Sequence, residues 1–344
     1  MNSITIIDIA KLSGVSVSTV SRAINNHPDI SSATKNKIMS VIKENNYAPN
    51  TSARNLKRTT SKTIAVLIKG ISNPFFSNMI KIFEEEIKIK KYTFILHKVD
   101  QRDDEIVVAQ DLIREQKLKG IIFLGGYFSH STKELNKIDV PFVLSTVDLP
   151  DKYKNEYSSI SVDNLAESYK MINHICKKGH KRIAILAASK SDESIGKLRL
   201  AGYKMALERN GIEFDKNLCF YMNENIEGYT MENGYDTMSK IYNSSYFKDI
   251  TAIFAVADSI AIGACSFLSD KGLKIPEDIS VAGFDGLDIS KYYIPKLTTI
   301  KQPVDKMARA TIKLLFQMID DKNYKNNIIF SAILDEGQSV KTLK

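Results

Sequence analysis

The stretch "GVSVSTVSRAINN", residues 14–26, gathers small hydroxyl side chains and a single arginine on one short segment. Gly14 is a turn residue, and Ser16 is suited to cap a helix that follows it. Three apolar residues of that helix have the i, i+3, i+4 spacing of a buried face: Val20, Ala23 and Ile24. The other side chains face outward, so the pattern predicts an amphipathic helix with a short, polar outer stripe.

The flanking segments complete a predicted three-helix domain over residues 1–46. Thr5 and Asp8 have the spacing of a capping box, with Asp in place of the usual Glu. Ser31 or Ser32 opens a third helix. Apolar residues predicted to pack the first and third helices recur at helical spacing: Ile6, Ile9, Ala10, Ile38, Val41 and Ile42. Two helices on either side of a glycine turn form a helix-turn-helix pattern.

The outward stripe of the second helix has the chemistry of DNA recognition. It consists of Val17, Ser18, Ser21, Arg22 and Asn25. Arg22 alone is long enough to make a forked contact with a guanine edge. Ser16 and Thr19 lie near the helix start, where the helix dipole favours phosphate. A serine-rich surface helix with no ligand would look the same, but the charge distribution favours DNA.

Positive charge is concentrated at the start of the chain. The 344 residues suggest about two to three domains. Residues 1–62 hold nine Lys/Arg and three Asp/Glu, a net +6, whereas the remainder holds 39 against 37, a net +2. This asymmetry points to a polyanionic partner for the first 62 residues alone. Composition by itself leaves a solvated basic tail equally open, and the charge favours DNA only together with the helix motif.

Several classes of protein are disfavoured by the motifs. The three cysteines, Cys176, Cys219 and Cys265, lie far apart and form no CxxC or Cys/His pattern, so neither a zinc site nor a disulfide framework is indicated, and no cofactor is predicted. No GxSxG, HExxH or GxxxxGKS motif appears, so no catalytic residue is predicted. A signal peptide and an apolar run of ~18 residues are both missing, which predicts a cytoplasmic protein that does not enter a membrane.

Residues 47–62 are predicted to be a hinge. Pro49 stops any preceding helix, and Asn50 can cap a short one. Because so short a helix is unstable alone, it should form only on a partner. An exposed Leu56 on this basic segment fits an apolar wedge for the DNA minor groove. A flexible tether is the alternative.

From Thr63 onward, strand-like runs alternate with amphipathic stretches. The runs are "TIAVLI", "YTFIL", "GIIFL", "PFVLS", "SISV", "RIAILAA", "AIFAV" and "SVAGF", and the clearest helices are 75–90, 165–178, 195–209 and 259–271. This order predicts an α/β protein with parallel sheets covered on both faces. We expect two doubly wound lobes with a ligand cleft between them: 63–162 plus 292–322, and 163–291 plus 323–344.

The ordered motifs "TIIDIAKLSGVSVSTVSRAINN", "YAPNTSARNLK", "SNPFF", "GHKRIAIL", "RLAGY", "DSIAIGA", "VAGFDG" and "PKLTTIKQP" span nearly the whole chain. In these motifs the sequence resembles the lactose-repressor family of bacterial transcription regulators. The resemblance implies a homodimer, possibly a tetramer, that binds a palindromic double-stranded DNA operator. It also implies lobes of the periplasmic-binding-protein type and a small effector in the cleft that changes DNA affinity.

The resemblance also assigns residues. It places Val17, Ser18 and Arg22 at base edges and Leu56 beside Ala53 as the minor-groove wedge. The predicted DNA-contacting set also includes Ser16, Thr19, Ser21, Asn25, Asn50 and Lys57. The predicted effector-binding set is Asn73, Phe75, Phe76, Arg199, Tyr229 and Asp285. Aromatic walls with one Arg and one Asp suit a sugar or sugar derivative, because sugars have apolar C–H faces and hydroxyl rings.

Alternatives remain at the cleft. Phe75 or Phe76 could be core, and Arg199 and Asp285 could form a buried ion pair across the cleft. The chain also departs from the family pattern: Ala257 stands where Asn is common, and Glu167 where glycine is customary. A second regulatory mode is a catabolite-control-type protein whose DNA binding a co-repressor or phosphocarrier protein strengthens.

Overall fold

The computed structural model describes residues 4–24, 27–45, 47, 62–100, 103–126, 130–190, 192 and 195–343. The chain divides into two compact units, residues 1–61 and 62–344, which we call the head and the body.

The described part of the head contains three helices, α1 (Ile6–Ser13), α2 (Val17–Ile24) and α3 (Ser32–Glu44). Thr5 and Asp8 form the predicted capping box at the start of α1. Gly14 ends α1 with a left-handed backbone, φ 68°, a conformation that glycine adopts without steric cost. Ser31, one of the two predicted caps, accepts a hydrogen bond from the Thr34 N–H at the start of α3.

The predicted apolar stripes meet in the core of the head. Five of their residues are buried: Ile9, Ala10, Val20, Ala23 and Ile38. The partly buried residues around them include the other predicted positions, Ile6, Ile24, Val41 and Ile42. The helix-turn-helix prediction for the described part of the head is therefore confirmed.

The body is a mixed α/β unit. Its strands are β1 (Thr63–Lys69), β2 (Thr93–Val99), β3 (Gly120–Leu124), β4 (Phe142–Ser145), β5 (Ser159–Val162), β6 (Ile183–Ala187), β7 (Cys219–Tyr221), β8 (Ala252–Ala255), β9 (Ser280–Asp285), β10 (Thr298–Lys301), β11 (Asn327–Phe330) and β12 (Ile333–Asp335). Its helices are α4 (Phe75–Ile89), α5 (Glu105–Gln116), α6 (Thr132–Leu135), α7 (Asn164–Lys177), α8 (Ile195–Arg209), α9 (Met231–Tyr242), α10 (Asp258–Asp270) and α11 (Val304–Asp320). No described helix has both the length and the apolar character needed to span a membrane.

Two six-stranded sheets define two lobes. The N-terminal lobe has the order β11-β5-β4-β3-β1-β2, and the C-terminal lobe has the order β12-β10-β9-β8-β6-β7. Every described pairing is parallel except β10 with β12. The continuous apolar runs of β1, β3, β6 and β8 are buried because helices cover both faces of parallel sheets. The predicted pair of parallel-sheet lobes is confirmed.

The lobe boundaries differ from those expected after the first crossing. The chain leaves the N-terminal lobe after β5, as predicted, but it does not return near residue 292, because β10 pairs with β9 in the C-terminal lobe. It returns after β10 with α11, which packs on α4. The chain crosses again after β11, which pairs with β5, so residues 323–330 belong to the N-terminal lobe. β11 was assigned wrongly because it pairs with β5, which is distant in sequence, and β10 was assigned wrongly because the crossing was expected before it, although it pairs with the preceding strand, β9.

Side chains of α7 form hydrogen bonds with the last crossing, between β11 and β12. Glu167, almost fully buried, accepts a hydrogen bond from the Ala332 N–H at 2.9 Å and forms an ion pair with Lys170. Lys170 in turn donates to the Ala332 carbonyl at 3.0 Å. Both backbone polar groups of Ala332 are thereby tied to the C-terminal lobe.

Candidate functional site

The outer face of α2 has the predicted exposure. Ser16, Val17, Ser18 and Arg22 are exposed, whereas Thr19 and Ser21 are half-buried. The Ser16 hydroxyl lies 2.7 Å from that of Ser18 and accepts from the Thr19 N–H at 3.2 Å, which fixes the start of the helix. Arg22 is thus the long cation on a face of small side chains, an arrangement that fits into a major groove.

Five residues of the predicted DNA-contacting set lie outside the described residues: Asn25, Asn50, Ala53, Leu56 and Lys57. The predicted hinge, 47–62, is described only at its two ends.

A cleft lies between the two lobes of the body, where the carboxyl ends of the strands face one another. Its inner part is lined by Asn73, Phe75, Phe76, Thr146, Val162, Asn164, Ile195, Arg199, Asp285 and Gln302. Its outer part is lined by Lys69, Gly70, Asn73, Phe76, Gly125, Gly126, Thr146, Asp192, Ile195, Gly228 and Tyr229. Because the two parts share four residues, they form one continuous cleft. Ligands of doubly wound folds bind at this edge of the sheet.

The N-terminal lobe contributes an aromatic wall at the start of α4. The Asn73 side chain accepts a hydrogen bond from the Phe75 N–H at 3.0 Å, which closes the turn between β1 and the helix. The Phe75 and Phe76 rings meet edge to face, with centroids 5.5 Å apart. Both rings are buried in the core and also line the cleft, so the core position is confirmed and ligand contact stays a prediction.

Arg199, on α8 of the C-terminal lobe, is buried among fixed partners. Its Nε donates to the Asn164 side chain at 2.9 Å, and its Nη1 donates to the Val256 carbonyl at 2.5 Å. The guanidinium lies 3.7 Å from the centroid of the Phe284 ring. The plane of the guanidinium is therefore set by the protein alone.

Asp285, at the end of β9, lies 3.4 Å from Arg199 Nη1. The predicted alternative of a buried ion pair is therefore confirmed, but the pair lies within the C-terminal lobe and does not cross the cleft. Gln302 donates to Asp285 Oδ1 at 2.8 Å, but Oδ2 is buried and has no hydrogen-bond partner among the described residues. Burial raises the pKa of Asp285 to about 6, although Arg199 and Gln302 oppose the shift.

A second buried carboxylate, Asp258, supports Asp285 from below the cleft. It accepts from the Leu287 N–H at 2.8 Å and from the hydroxyls of Ser290 and Thr299 at 2.8 and 2.5 Å. Burial, together with the nearby charge of Asp285, raises the pKa of Asp258 to about 7. These bonds fix the loop after β9 and with it the end of the Asp285 strand.

Tyr229 lines only the outer part of the cleft and is held at both ends. Its hydroxyl donates to Asp192 Oδ2 at 2.8 Å, and its carbonyl accepts from the Ser259 hydroxyl at 2.6 Å. The ring thus projects into the outer cleft from a fixed backbone.

Backbone strain is concentrated in the cleft. Five described residues other than glycine have positive φ, and three of them line it: Thr146 at 67°, Tyr229 at 59° and Asp285 at 121°. Such conformations cost about 1–3 kcal/mol each and persist where the surrounding structure enforces them, commonly at ligand sites.

The cleft is nearly closed. The space open to the centre of a water molecule is about 20 Å³ in the inner part and about 80 Å³ in the outer part. A water molecule needs about 10–15 Å³ on this measure, so a sugar ring enters only when the lobes part or side chains move. Asn78 of the N-terminal lobe donates to Asp288 of the C-terminal lobe at 3.3 Å, a contact that such opening would break.

The structure brings the six predicted effector residues to one cleft but separates Tyr229 from Arg199 and Asp285. It adds residues that the sequence interpretation missed: Asn164, Gln302, Thr146 and Asp192. Three of these follow closely on β5, β10 and β4. Their signal was a polar residue just after a buried strand, the position where parallel sheets place ligand contacts.

Comparison with known proteins matches both units. Residues 5–50 match the model for bacterial regulatory proteins of the lacI family, and residues 172–340 match the periplasmic binding protein-like domain. HTH-type transcriptional regulator MalR of Clostridium butyricum is 41% identical over 338 residues, covering 96% of this chain and 98% of that protein.

Two solved structures extend the comparison. A CelR–cellobiose complex is 25% identical, with a TM-score of 0.71, covering 98% of this chain and 99% of that one. A lac repressor dimer bound to operator and the anti-inducer ONPF is also 25% identical, with a TM-score of 0.76, covering 99% of this chain and 100% of that one.

Proposed function

Because this chain belongs to the lacI family of bacterial regulatory proteins, we propose that it is a cytoplasmic repressor whose affinity for a palindromic operator is set by a small carbohydrate in the interlobe cleft. The chain is a sequence-specific DNA-binding transcriptional regulator, as its relatives are. The carbohydrate, the operator symmetry and the residue roles are the proposed part.

The observation that carries the effector proposal is the unpartnered oxygen of Asp285. A buried carboxylate oxygen with no hydrogen bond is rare and costly, so it calls for a donor. Arg199 Nη2, the guanidinium nitrogen outside the Nη1–Oδ1 ion pair, donates no hydrogen bond to a described residue. One acceptor and one donor beside aromatic rings match adjacent hydroxyls on a sugar ring.

The operator proposal rests on the exposed face of α2. Arg22 offers the forked contact that selects guanine, and Val17 and Ser18 are exposed beside it. Asn25, Asn50, Ala53, Leu56 and Lys57 remain proposed contacts by resemblance.

A homodimer is supported by an exposed apolar segment after β9. Ile289, Tyr292 and Ile294 are exposed by 46%, 82% and 91%. Large apolar side chains clustered in this way mark contact surfaces. A pair of such chains would present two α2 helices to the two halves of a palindrome.

The test begins with an operator selected from random duplexes, whose binding is followed by fluorescence anisotropy. Arg22→Ala should weaken binding at the selected site by about 1–3 kcal/mol and relax the preference at one base pair. Lys11→Ala, which removes an exposed charge from α1, is the matched control and should affect all duplexes alike. An Arg22→Ala variant that kept the wild-type ratio between operator and scrambled duplex would refute direct readout by Arg22.

The effector proposal is tested by repeating the operator titration in the presence of carbohydrates. A sugar should lower operator affinity by a coupling of about 1–3 kcal/mol. Asp285→Asn, which keeps the size of the side chain, should lose that response; its operator binding without sugar is measured on protein shown to be folded, because the change leaves Arg199 without its carboxylate. A sugar that raised affinity would establish the co-repressor mode instead, and an undiminished response in Asp285→Asn would exclude this cleft as the effector site.

A further inference from the structure

The outer part of the cleft repeats the chemistry of the inner part. The inner part has Phe75 beside the buried carboxylate of Asp285, and the outer part has Tyr229 beside the carboxylate of Asp192, which is 6% exposed. Phe76 borders both parts. A single sugar ring needs one apolar face and one set of hydroxyl partners, so the outer set exceeds the needs of one ring.

The carboxylate of Asp192, in the outer part of the cleft, is held in place by the surrounding structure. A side chain at Gly196 would come within 2.5 Å of Asp192 Oδ2, so the first turn of α8 has room for the carboxylate only because residue 196 is glycine. The start of a helix also stabilises a negative charge placed there. Asp192 and the strained Tyr229 therefore form a fixed unit, joined by their 2.8 Å hydrogen bond.

The charges along the cleft show what kind of ligand fits. The lining holds two cations, Lys69 and Arg199, and two carboxylates, Asp192 and Asp285. Arg199 is already paired, and Lys69 donates to the Asp103 carbonyl at 2.9 Å. A phosphate or carboxylate group on the ligand would need surplus positive charge in the lining, and the described residues supply none.

We infer that the effector is an uncharged disaccharide, with one ring in the inner cleft and the second in the outer cleft against Tyr229 and Asp192. Asp192 then sets the preference for two rings over one. This inference rests on the proposed function, since it assigns the ligand of the same cleft.

The test is calorimetric titration of the full chain with a defined panel. The monosaccharides are glucose and galactose, the disaccharides are maltose, cellobiose, lactose, trehalose and sucrose, and the charged probe is glucose 6-phosphate. At least one disaccharide should bind about tenfold more tightly than either monosaccharide, the gain expected from about one added charge-assisted hydrogen bond. Binding of glucose or glucose 6-phosphate as tight as that of every disaccharide, or no binding by any disaccharide, would overturn the inference.

Variants then assign the second ring. Asp192→Asn should weaken the preferred disaccharide about tenfold and leave monosaccharide binding unchanged, because only the outer carboxylate is altered. Tyr229→Phe should keep most of the affinity and Tyr229→Leu should lose it, because only the leucine lacks the aromatic face. Equal loss for one-ring and two-ring sugars in Asp192→Asn would contradict the assignment, and melting temperatures near wild type would show that the variants fold.

Operator titration separates this inference from the proposed function. A disaccharide that binds the cleft as expected but leaves operator affinity unchanged would refute the proposed control of DNA binding and leave the two-ring site standing. A monosaccharide that shifts operator affinity as strongly as every disaccharide would refute the two-ring site and leave the proposed control of DNA binding standing.

Discussion

The two walls of the cleft are built in opposite ways. The N-terminal wall is largely apolar and is held by packing, with Phe75 and Phe76 continuous with the core. The C-terminal wall is a buried polar network in which Arg199, Asp258 and Asp285 have fixed hydrogen bonds. A packed wall can shift with small losses, whereas a buried charge network has few good arrangements. The C-terminal wall therefore sets ligand geometry, and the N-terminal wall covers the ligand.

The largest effect is expected from breaking the network at Arg199. Arg199→Met leaves Asp285 buried without its cation, and this should lower the free energy of unfolding by about 3–5 kcal/mol at pH 8. Urea denaturation measures the change. Arg199→Met/Asp285→Asn is the control and should recover much of the loss, because neither charge then remains. Wild-type stability in the single variant would show that the C-terminal wall does not depend on this pair.

The next effect is the pH dependence that the C-terminal wall contributes to stability. The pKa of Asp258 is raised to about 7 and that of Asp285 to about 6, so between about pH 4 and pH 7 the folded state holds protons that the unfolded state has lost. These groups thus make the protein less stable as pH rises through that window. Asp258→Asn should reduce the fall in unfolding free energy between pH 5 and pH 8 by about 1–3 kcal/mol.

Denaturation at several pH values measures this slope. Phe76→Leu, on the opposite wall, should keep the wild-type slope and serves as the control. If Asp258→Asn kept it as well, the buried carboxylate would not be the source of the pH dependence.

The smallest effect belongs to the apolar wall. Phe76→Leu should cost less than about 1.5 kcal/mol of stability, and it should weaken effector binding several-fold because it removes an aromatic face worth about 0.5–1.5 kcal/mol. Phe83→Leu is a matched control, since Phe83 is fully buried on the same helix but does not line the cleft. Calorimetry should show lost effector affinity in Phe76→Leu alone. Equal losses of affinity in Phe76→Leu and Phe83→Leu would mean that Phe76 affects binding only through core packing.

The same contrast explains how far the sequence could be interpreted. The described part of the head could be predicted almost completely, because capping, turn and packing signals all act within a few residues of Thr5, Gly14 and Ser31. Eight strands of the body also had apolar runs of their own. β7, β11 and β12 were missed because they are edge strands whose side chains are only partly buried, and β10, "TTIK", was missed because it has a single large apolar residue.

The residues of the cleft also divide into those with a local sequence signal and those without one. Arg199 and Asp285 carried recognisable motifs, so both were placed in the cleft from the sequence. Asp192 had none, because packing against Gly196 positions its carboxylate, and Thr146 had only the signal of a polar residue after a buried strand, since its positive φ is not visible in the sequence. Such contacts depend on chain segments far apart in sequence, which local periodicity does not report.

The hydrogen bonds of Glu167 and Lys170 with Ala332 restrict how the two lobes can move. The chain crosses between the lobes three times, and three flexible crossings would let the lobes twist, bend and slide. Here the crossing between β11 and β12 is hydrogen-bonded to the C-terminal lobe at a single residue, Ala332. Any torsion along that connection falls on Ser331, the one residue left between Phe330 of β11 and Ala332. We therefore expect the two lobes to open about a pivot at Ser331, so that each opening follows the same arc.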